Sequence, residues 1–325
     1  MTIKLTDVAK KAGVSPTTVS RVINNYGSLS QKTIDKVHQA MEELNYVPNS
    51  LARSLQGKGT QLIGLIFPSI SNPFYGELVE KIEENLFNKD YKVILCDSAR
   101  DTEKERSYLR MLIGNKVDGV ITGSHNLGIK EYENVSLPIV SFDRYLGDTV
   151  PIVGSDNFLG GQLATQALID AGCQNIAIFS GKNDSMSPTN RRVDGYKMAI
   201  SKADLCEHTF HFPSPTSPIV KSSEIKQILE EHDFDGIFCT DDLTAILTIQ
   251  QLEKLNLNVP KDVKVIGYDG TQFIQNYYPH LATVAQPIDE YANLLVELLL
   301  EKIKHPEKEL KNFELPVKVI KSSTL

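Results

Sequence analysis

The chain has 325 residues, 41% hydrophobic and 23% charged, with a formal net charge of −7. Its length allows two or three domains around a large core, its composition excludes disorder, and no apolar run of about 18 residues offers a membrane span. The average charge hides a split: residues 1–60 hold six Lys and two Arg against two Asp and two Glu, a net of +4 that leaves −11 on the rest. A basic amino-terminal piece on an acidic body points to one segment that meets phosphate and a body with another task. The start, MTIKLTDVAKKAG, has no apolar h-region, so a cytoplasmic location is expected. Cys96, Cys173, Cys206 and Cys239 stand far apart without CxxC or Cys/His clustering. They read as reduced thiols, and neither a metal nor a cofactor is expected.

LTDVAKKAGVSPTTVSRVINN predicts two short helices around a tight turn. Thr6 is expected to cap the first, with Val8, Ala9 and Ala12 facing inward. Gly13 permits a left-handed turn, Ser15 caps the second helix, and Pro16 takes its first position, where no amide is needed. Val19, Val22 and Ile23 form one stripe, leaving Thr17, Thr18, Ser20, Arg21 and Asn24 outside. A third helix, SQKTIDKVHQAMEEL, is capped by Ser30 and buries Ile34, Val37, Met41 and Leu44. Two helices joined through a Gly turn, the second carrying hydroxyls and an Arg, form a helix-turn-helix whose second helix enters the major groove. In NSLARSLQGKGT, residues 49–60, Asn49 can cap a helix, Leu51, Ala52 and Leu55 share an apolar side, and Gly57 and Gly59 end it. Such a segment is below the ~12–15 residues an isolated helix needs in water.

From Gly59 onward apolar runs alternate with amphipathic segments. LIGLIFPS, YKVILCDS, VDGVITGS, PIVSFDR, NIAIFSG, FDGIFCTD and DVKVIGYDG are predicted strands, with helices between them. Continuous Val/Ile-rich strands separated by helices imply parallel sheets covered on both faces, and the unit recurs on either side of about residue 155. The expected fold class is α/β: a two-lobe body with a cleft, behind an all-α headpiece. Ligands bind beyond the carboxyl ends of such strands. Those ends carry Ser69 to Phe74, Asp97, Ser124, His125, Asp143, Asp241, Asp242 and Asp269. No GxGxxG or GxxxxGK[ST] follows a strand, and no nucleophile–base pairing emerges, so a nucleotide cofactor and an enzyme are not expected. Carboxylates and an Arg beside aromatic rings suit a polyhydroxylated ligand. Asp156 and Asp242 are expected as helix caps, Asp118 as turn chemistry, and Tyr277, Tyr278 and Pro279 as loop packing.

DVAKKAGVSPTTVSRVINN closely resembles the headpiece of the lactose-repressor (LacI/GalR) family of bacterial transcription regulators. That resemblance implies Pro16, Thr17 and Arg21 as base-reading residues and Ser15, Thr18 and Asn24 as phosphate contacts. Pro16 is a departure, since it has no side-chain hydrogen bond to offer. It further implies that residues 49–60 are a hinge that turns helical on operator DNA. Asn49 and Ala52 then lie in the minor groove with Leu55, which wedges into a base step of duplex. The body resembles the same family and its periplasmic sugar-binding kin through SNPFYGELV, VDGVI, SDNFLGGQLAT, NRRVDGYKMA, TDDLTA, VIGYDG and PHLATVAQP. By position, Arg192 is implied as the effector clamp, Asp143, Asp241 and Asp269 as effector-facing carboxylates, and Phe74 or Tyr75 as an aromatic wall. RSLQGK, SHNLGI, SFDRYL with SDNF, and DSMSPTNRR resemble the sucrose-operon branch.

The resemblance divides the chain into a headpiece (1–48), a hinge and linker (49–60) and an effector-binding and dimerisation body (61–325). Its implied partners are a pseudo-palindromic operator duplex and a small sugar or sugar phosphate, with Lys182, Arg191 and Arg192 as cations available to a phosphate. No membrane is implied. A homodimer is expected, joined through helices near 75–88 and 103–115, because the tail LPVKVIKSSTL lacks the leucine heptads of a tetramer seam. The alternative is a carbon-catabolite regulator of the same family with phosphorylated HPr as corepressor. The late helix YANLLVELLLEKIK, without Arg or Met, speaks against it.

Overall fold

The computed structural model describes residues 3–24, 26–46, 59–124, 126, 129–132, 136–147, 149–181, 187–213 and 216–325. Asn49, Ala52, Leu55, His125 and Lys182 lie outside the described residues. Two compact units emerge, Met1–Thr60 and Gln61–Leu325.

The first unit holds α1 (Leu5–Ala12), α2 (Pro16–Ile23) and α3 (Gln31–Glu43). Val8, Ala9, Val19, Val22, Val37 and Ala40 make its core. Gly13 adopts φ +66, the left-handed turn expected of it. Ser15 Oγ accepts from Thr18 N at 3.1 Å and Ser30 Oγ from Thr33 N at 3.3 Å, as two caps should. The first cap differs from expectation. Lys4, not Thr6, holds the N-cap position, and its amide donates to Asp7 Oδ2 at 2.8 Å. Packing of Leu5 against the core draws the helix start two residues back.

The second unit has two six-stranded sheets. The first contains β1 (Leu62–Phe67), β2 (Lys92–Asp97), β3 (Gly119–Thr122), β4 (Ile139–Phe142), β5 (Ile152–Ser155) and β11 (Phe313–Leu315), in the order β11-β5-β4-β3-β1-β2. The second contains β6 (Ile176–Gly181), β7 (His208–Phe212), β8 (Gly236–Cys239), β9 (Lys264–Asp269), β10 (Ala282–Ala285) and β12 (Lys318–Ile320), in the order β12-β10-β9-β8-β6-β7. Only the β10–β12 pair is antiparallel among the described strands. All seven predicted strands form. β12 forms within the strand-like tail LPVKVIKSSTL, while β5, β7, β10 and β11 were not foreseen, three of them being only three or four residues long.

The helices of this unit are α4 (Pro73–Phe87), α5 (Thr102–Gly114), α6 (Asn157–Asp170), α7 (Arg191–Lys202), α8 (Pro218–Glu231), α9 (Asp242–Lys254), α10 (Gln272–Tyr277) and α11 (Ile288–Lys304). Each sheet is covered on both faces. Leu78, Ile82 and Leu86 of α4 meet Leu295, Val296 and Leu299 of α11 on one side of the first sheet. Leu109 and Leu112 of α5 cover its other side. The second sheet lies between α6 and α7 on one face and α8, α9 and α10 on the other. The chain therefore passes between lobes three times: after β5, after β10, and between β11 and β12.

Tyr277 and Tyr278, expected as loop packing, are 71% and 42% exposed. Helix α10 is too short to bury more than Ile274 and leaves both rings outside.

Candidate functional site

In the headpiece, α2 begins with exposed Ser15, Pro16 and Thr17. Ser15 Oγ also lies 2.9 Å from Thr18 Oγ1, so the two hydroxyls form one polar corner at the helix start. Arg21 folds over the turn that follows α2: its Nε donates to the Tyr26 carbonyl at 3.3 Å, and a Cβ on Gly27 would lie 2.3 Å from Nη2. Gly27, at φ +78, makes room for the guanidinium. Asn24 Nδ2 turns back to the Ser20 carbonyl at 2.7 Å.

In the body, a cleft of about 410 Å³ opens at the carboxyl ends of both sheets, within the usual size range for small-ligand sites. Phe74, Tyr75, Asp143, Arg192, Asp241 and Asp269 all line it, so the six expected residues converge from both lobes. Both aromatic candidates take part, joined by Phe142, whose ring centroid lies 5.7 Å from that of Phe74. Asn72 Oδ1 caps α4 by accepting from Phe74 N at 2.9 Å, which fixes where the wall begins.

Arg192 is the centre of the site and is 6% exposed. Its Nε donates to Asn157 Oδ1 at 2.7 Å, its Nη1 to the Thr240 carbonyl at 2.7 Å, and its guanidinium stacks 3.6 Å from the Tyr268 ring centroid. Asp269 Oδ1 lies 4.0 Å from Nη1 and accepts from Gln286 Nε2 at 2.8 Å. Asn157 Nδ2 in turn donates to Asp143 Oδ1 at 3.2 Å. Asp143 belongs to the first lobe and Asp269 to the second, while Asn157 and Gln286 stand on two of the three segments that cross between them. Ser155 Oγ, beside the first crossing, bonds to Gln286 and lies 2.6 Å from Tyr291 Oη. The network thus joins residues of both lobes with two of their crossing segments. Asp143 and Asp269 adopt φ +49 and +120, a strained region for a residue with a side chain and one that recurs at binding sites.

Two glycines permit this arrangement. A Cβ on Gly161 would lie 2.0 Å from the Arg192 carbonyl oxygen, and one on Gly195 would lie 2.1 Å from that of Phe158. Helices α6 and α7 therefore touch backbone to backbone. Asn157 stands one turn before Gly161 and Arg192 nearly one turn before Gly195, so the touching faces also carry this bonded pair.

Burial dominates the electrostatics. It pushes Asp143 up to about 6, against the opposing pull of Arg192. Asp269 is raised well above the carboxylate range by burial, again against Arg192. For Arg192 burial opposes the charge, but Tyr268, Asp269 and Asp143 together hold its pKa above the ordinary value. For Asp143 the folded state retains a proton that the unfolded chain, with a pKa near 3.9, has released. Its contribution to stability is therefore lost as pH rises from about 4 to 6, then levels off. Asp143→Asn should match the wild type near pH 4 and exceed it by an amount on the order of 2–3 kcal/mol above pH 6, at about 1.4 kcal/mol per pKa unit. Urea melts at stepped pH would read this difference, and parallel curves for the two proteins would contradict it.

Asp242 is corrected. The cap of α9 is Asp241, whose Oδ1 accepts from Thr244 N at 2.7 Å. Asp242 is buried beneath the cleft floor, accepting from Gly270 N at 2.7 Å and Thr283 Oγ1 at 2.6 Å, and burial pushes it up to about 7. Asp156 does cap α6, through Leu159 N at 2.9 Å. Asp118 accepts from Gln61 N at 2.8 Å and acts on the backbone. Asp97 accepts from Ala99 N, and Ser124 bonds to the buried Glu105, so neither lines the cleft. Arg191 is not in the site; it pairs with Glu314 at 3.3 Å on the surface. Asn157 and Gln286 escaped sequence reasoning. The one available signal was the position of Asn157 directly after a cap, within SDNF.

Among the described residues no group of three or more His, Cys, Asp and Glu is arranged to hold a metal. Nor is any described helix long and apolar enough to cross a membrane.

Residues 4–49 match bacterial regulatory proteins of the lacI family, and residues 60–323 match the periplasmic binding proteins and sugar binding domain of the LacI family. The chain is 55% identical over 322 residues to a sucrose operon repressor of Pediococcus pentosaceus, covering 99% of each chain. It is 53% identical over 325 residues to the sucrose operon repressor of Streptococcus mutans, covering 100% of each. The lac repressor dimer bound to operator and the anti-inducer ONPF superposes with a TM-score of 0.85 at 26% identity, over 100% of both chains. These relatives are transcriptional repressors rather than enzymes. With a three-helix headpiece preceding, in sequence, a two-lobe body whose cleft is lined by a buried arginine, this chain belongs to the LacI family of bacterial regulatory proteins.

Proposed function

We propose that the chain is a cytoplasmic, dimeric repressor of a sucrose-utilisation operon, released from its operator by a sucrose-related effector in the cleft. Residues 1–48 read the operator, 49–60 form the hinge and 61–325 bind effector and partner subunit. The observation that carries this reading is the Asp143–Asn157–Arg192–Asp269–Gln286 network, which links acceptors and donors of both lobes through their crossing segments. Carboxylates accept hydroxyl protons, the guanidinium donates, and Phe74, Tyr75 and Phe142 cover the apolar side of a sugar ring. A ligand that engages both lobes changes their preferred angle, and only a difference in affinity between two angles can shift the equilibrium. In the dimer that angle governs whether two hinges, with Asn49, Ala52 and Leu55, pair in the minor groove.

Exposed Leu95, Met111 and Ile113 on β2 and α5, with Phe87 at the end of α4, support a subunit contact through that side of the first lobe. The HPr reading finds no support in α11. Tyr291, Ala292, Leu295, Val296 and Leu299 are buried in the first lobe, and the exposed Asp289, Glu290, Asn293, Glu297 and Lys304 include neither Arg nor Met.

A mobility-shift titration on a palindromic operator, repeated with sucrose, fructose, glucose and their phosphates, tests the reading. The expected effect is a 5–150-fold loss of operator affinity with at least one sugar, a coupling of about 1–3 kcal/mol; unchanged affinity with all of them would dismiss it. In the same assay Arg21→Ala should lower operator affinity about 10- to 100-fold, since a bidentate Arg–guanine contact carries about 1–3 kcal/mol of discrimination. Binding to random duplex should fall much less. Equal losses on both duplexes would remove Arg21 from base reading.

A further inference from the structure

The inner end of the cleft is charge-compensated. Arg192 stands among Asp143 and Asp269, and each of these carboxylates already receives a side-chain amide, from Asn157 and Gln286. Asp241 is occupied by Thr244, whose amide and hydroxyl both reach its carboxylate at 2.7 Å. This end suits uncharged hydroxyls.

Two further cations line the cleft, one from each lobe: Arg100, on the loop after β2, and Lys221, in the first turns of α8. Lys221 Nζ donates to Thr244 Oγ1 at 3.0 Å, and that hydroxyl donates in turn to Asp241 Oδ2 at 2.7 Å, so the ammonium reaches a carboxylate only through a hydroxyl. Neither cation forms an ion pair among the described residues, although the surface basic residues Lys81, Arg106, Arg110, Arg191 and Lys197 all do. Arg100 is held in the left-handed region at φ +58, at a loop bend beside the cleft. Nearby, Ser180 Oγ lies 2.7 Å from His211 Nδ1 and also lines the cleft. The two cations, one on each lobe, face the same space as the sugar site and stand outside any ion pair among the described residues.

We propose that Arg100 and Lys221 form an anion subsite for a phosphoryl group on the effector, so that the ligand class is a phosphorylated saccharide. The proposal rests on the reading of the cleft as a saccharide site and specifies its ligand. A phosphate monoester brings a charge of about −1.5 to −2 at pH 7 and three strong acceptor oxygens, enough to engage both cations at once. A carboxylate brings half the charge and one fewer oxygen. Because the cations belong to different lobes, the phosphoryl group also ties the lobes together, and charge-assisted hydrogen bonds are the strong ones. Of the cations expected from sequence for this task, Arg191 pairs with Glu314 on the surface, Arg192 donates to Asn157 and Thr240 at the inner end, and Lys182 lies outside the described residues.

Titration calorimetry on the full-length protein, with sucrose, sucrose 6-phosphate and inorganic phosphate as probes, tests this. Sucrose 6-phosphate should bind at least tenfold more tightly than sucrose. That advantage should shrink with added salt and fall severalfold in both Arg100→Gln and Lys221→Gln, while Lys221→Arg keeps most of it. Operator binding without sugar should be unchanged in all three variants. Equal or tighter binding of sucrose would overturn the phosphoryl subsite and leave the saccharide reading standing. Inorganic phosphate binding as tightly as the sugar phosphate would overturn the assignment to a phosphorylated saccharide, because the sugar part would then contribute nothing. If neither sugar binds and neither releases operator, both fall together.

Discussion

Arg192→Ala should yield a repressor that holds its operator and no longer answers to effector. The substitution removes the donor to Asn157 and to the Thr240 carbonyl, and leaves Asp143 and Asp269 facing each other across the cleft without a buried cation. Breaking a buried charge pair by removing one partner costs about 3–5 kcal/mol. Uptake of protons by the two carboxylates offsets part of this, so the loss should be smaller at pH 5 than at pH 8. Effector affinity should drop by at least 10-fold, the value of a charged hydrogen bond at about 1.5–3 kcal/mol. Arg192→Lys separates the two consequences. It keeps the charge and most of the stability, but one ammonium cannot reproduce a planar fork directed at Asn157 and Thr240 together. The checks are urea unfolding and an operator-release titration on both variants. A normal response to effector in Arg192→Lys would show that charge alone suffices.

Gly161→Ala should be among the most damaging single-methyl additions in the body. The new Cβ would meet the Arg192 carbonyl oxygen at 2.0 Å, and a backbone atom of a packed helix has nowhere to rotate. Overpacking ordinarily costs about 1–3 kcal/mol, occasionally more, and a backbone clash belongs at the upper end. Relief requires α6 and α7 to separate, which withdraws Arg192 from Asn157, so effector response should weaken together with stability. Gly114→Ala is the matched control. It ends α5 with nothing within 4 Å of the added methyl, and relief of glycine's backbone entropy should stabilise by up to about 0.5–1 kcal/mol. Thermal melts of the two variants should move in opposite directions. Movement in the same direction would remove the backbone contact as the cause.

Much of this was legible because it is local. Ser15, Ser30 and Asp156 cap the helices they precede, Gly13 turns left-handed where a turn was needed, and seven Val/Ile-rich runs became strands. The strands that escaped notice lack a pattern long enough to read. IVGS, ATVA and FEL are extended because β4, β9 and β5 offer them hydrogen-bond partners. The exchange of roles between Asp241 and Asp242 has the same origin. Either can cap a helix in isolation, and Thr283 and Gly270, remote in sequence, decide which one is drawn under the floor.

From the sequence alone came the split between a basic headpiece and an acidic body, the type of nearly every element, and the residues facing the cleft by position. Charge, periodicity and capping operate over a few residues and survive without a three-dimensional context. The tertiary structure alone decided that Asn157 and Gln286 bond to Arg192 and Asp269, that two glycines let α6 and α7 touch, and that Arg100 and Lys221 face the cleft outside any ion pair among the described residues. Those properties depend on burial and on the meeting of residues scores of positions apart, which only the packing of two lobes around three chain crossings brings about.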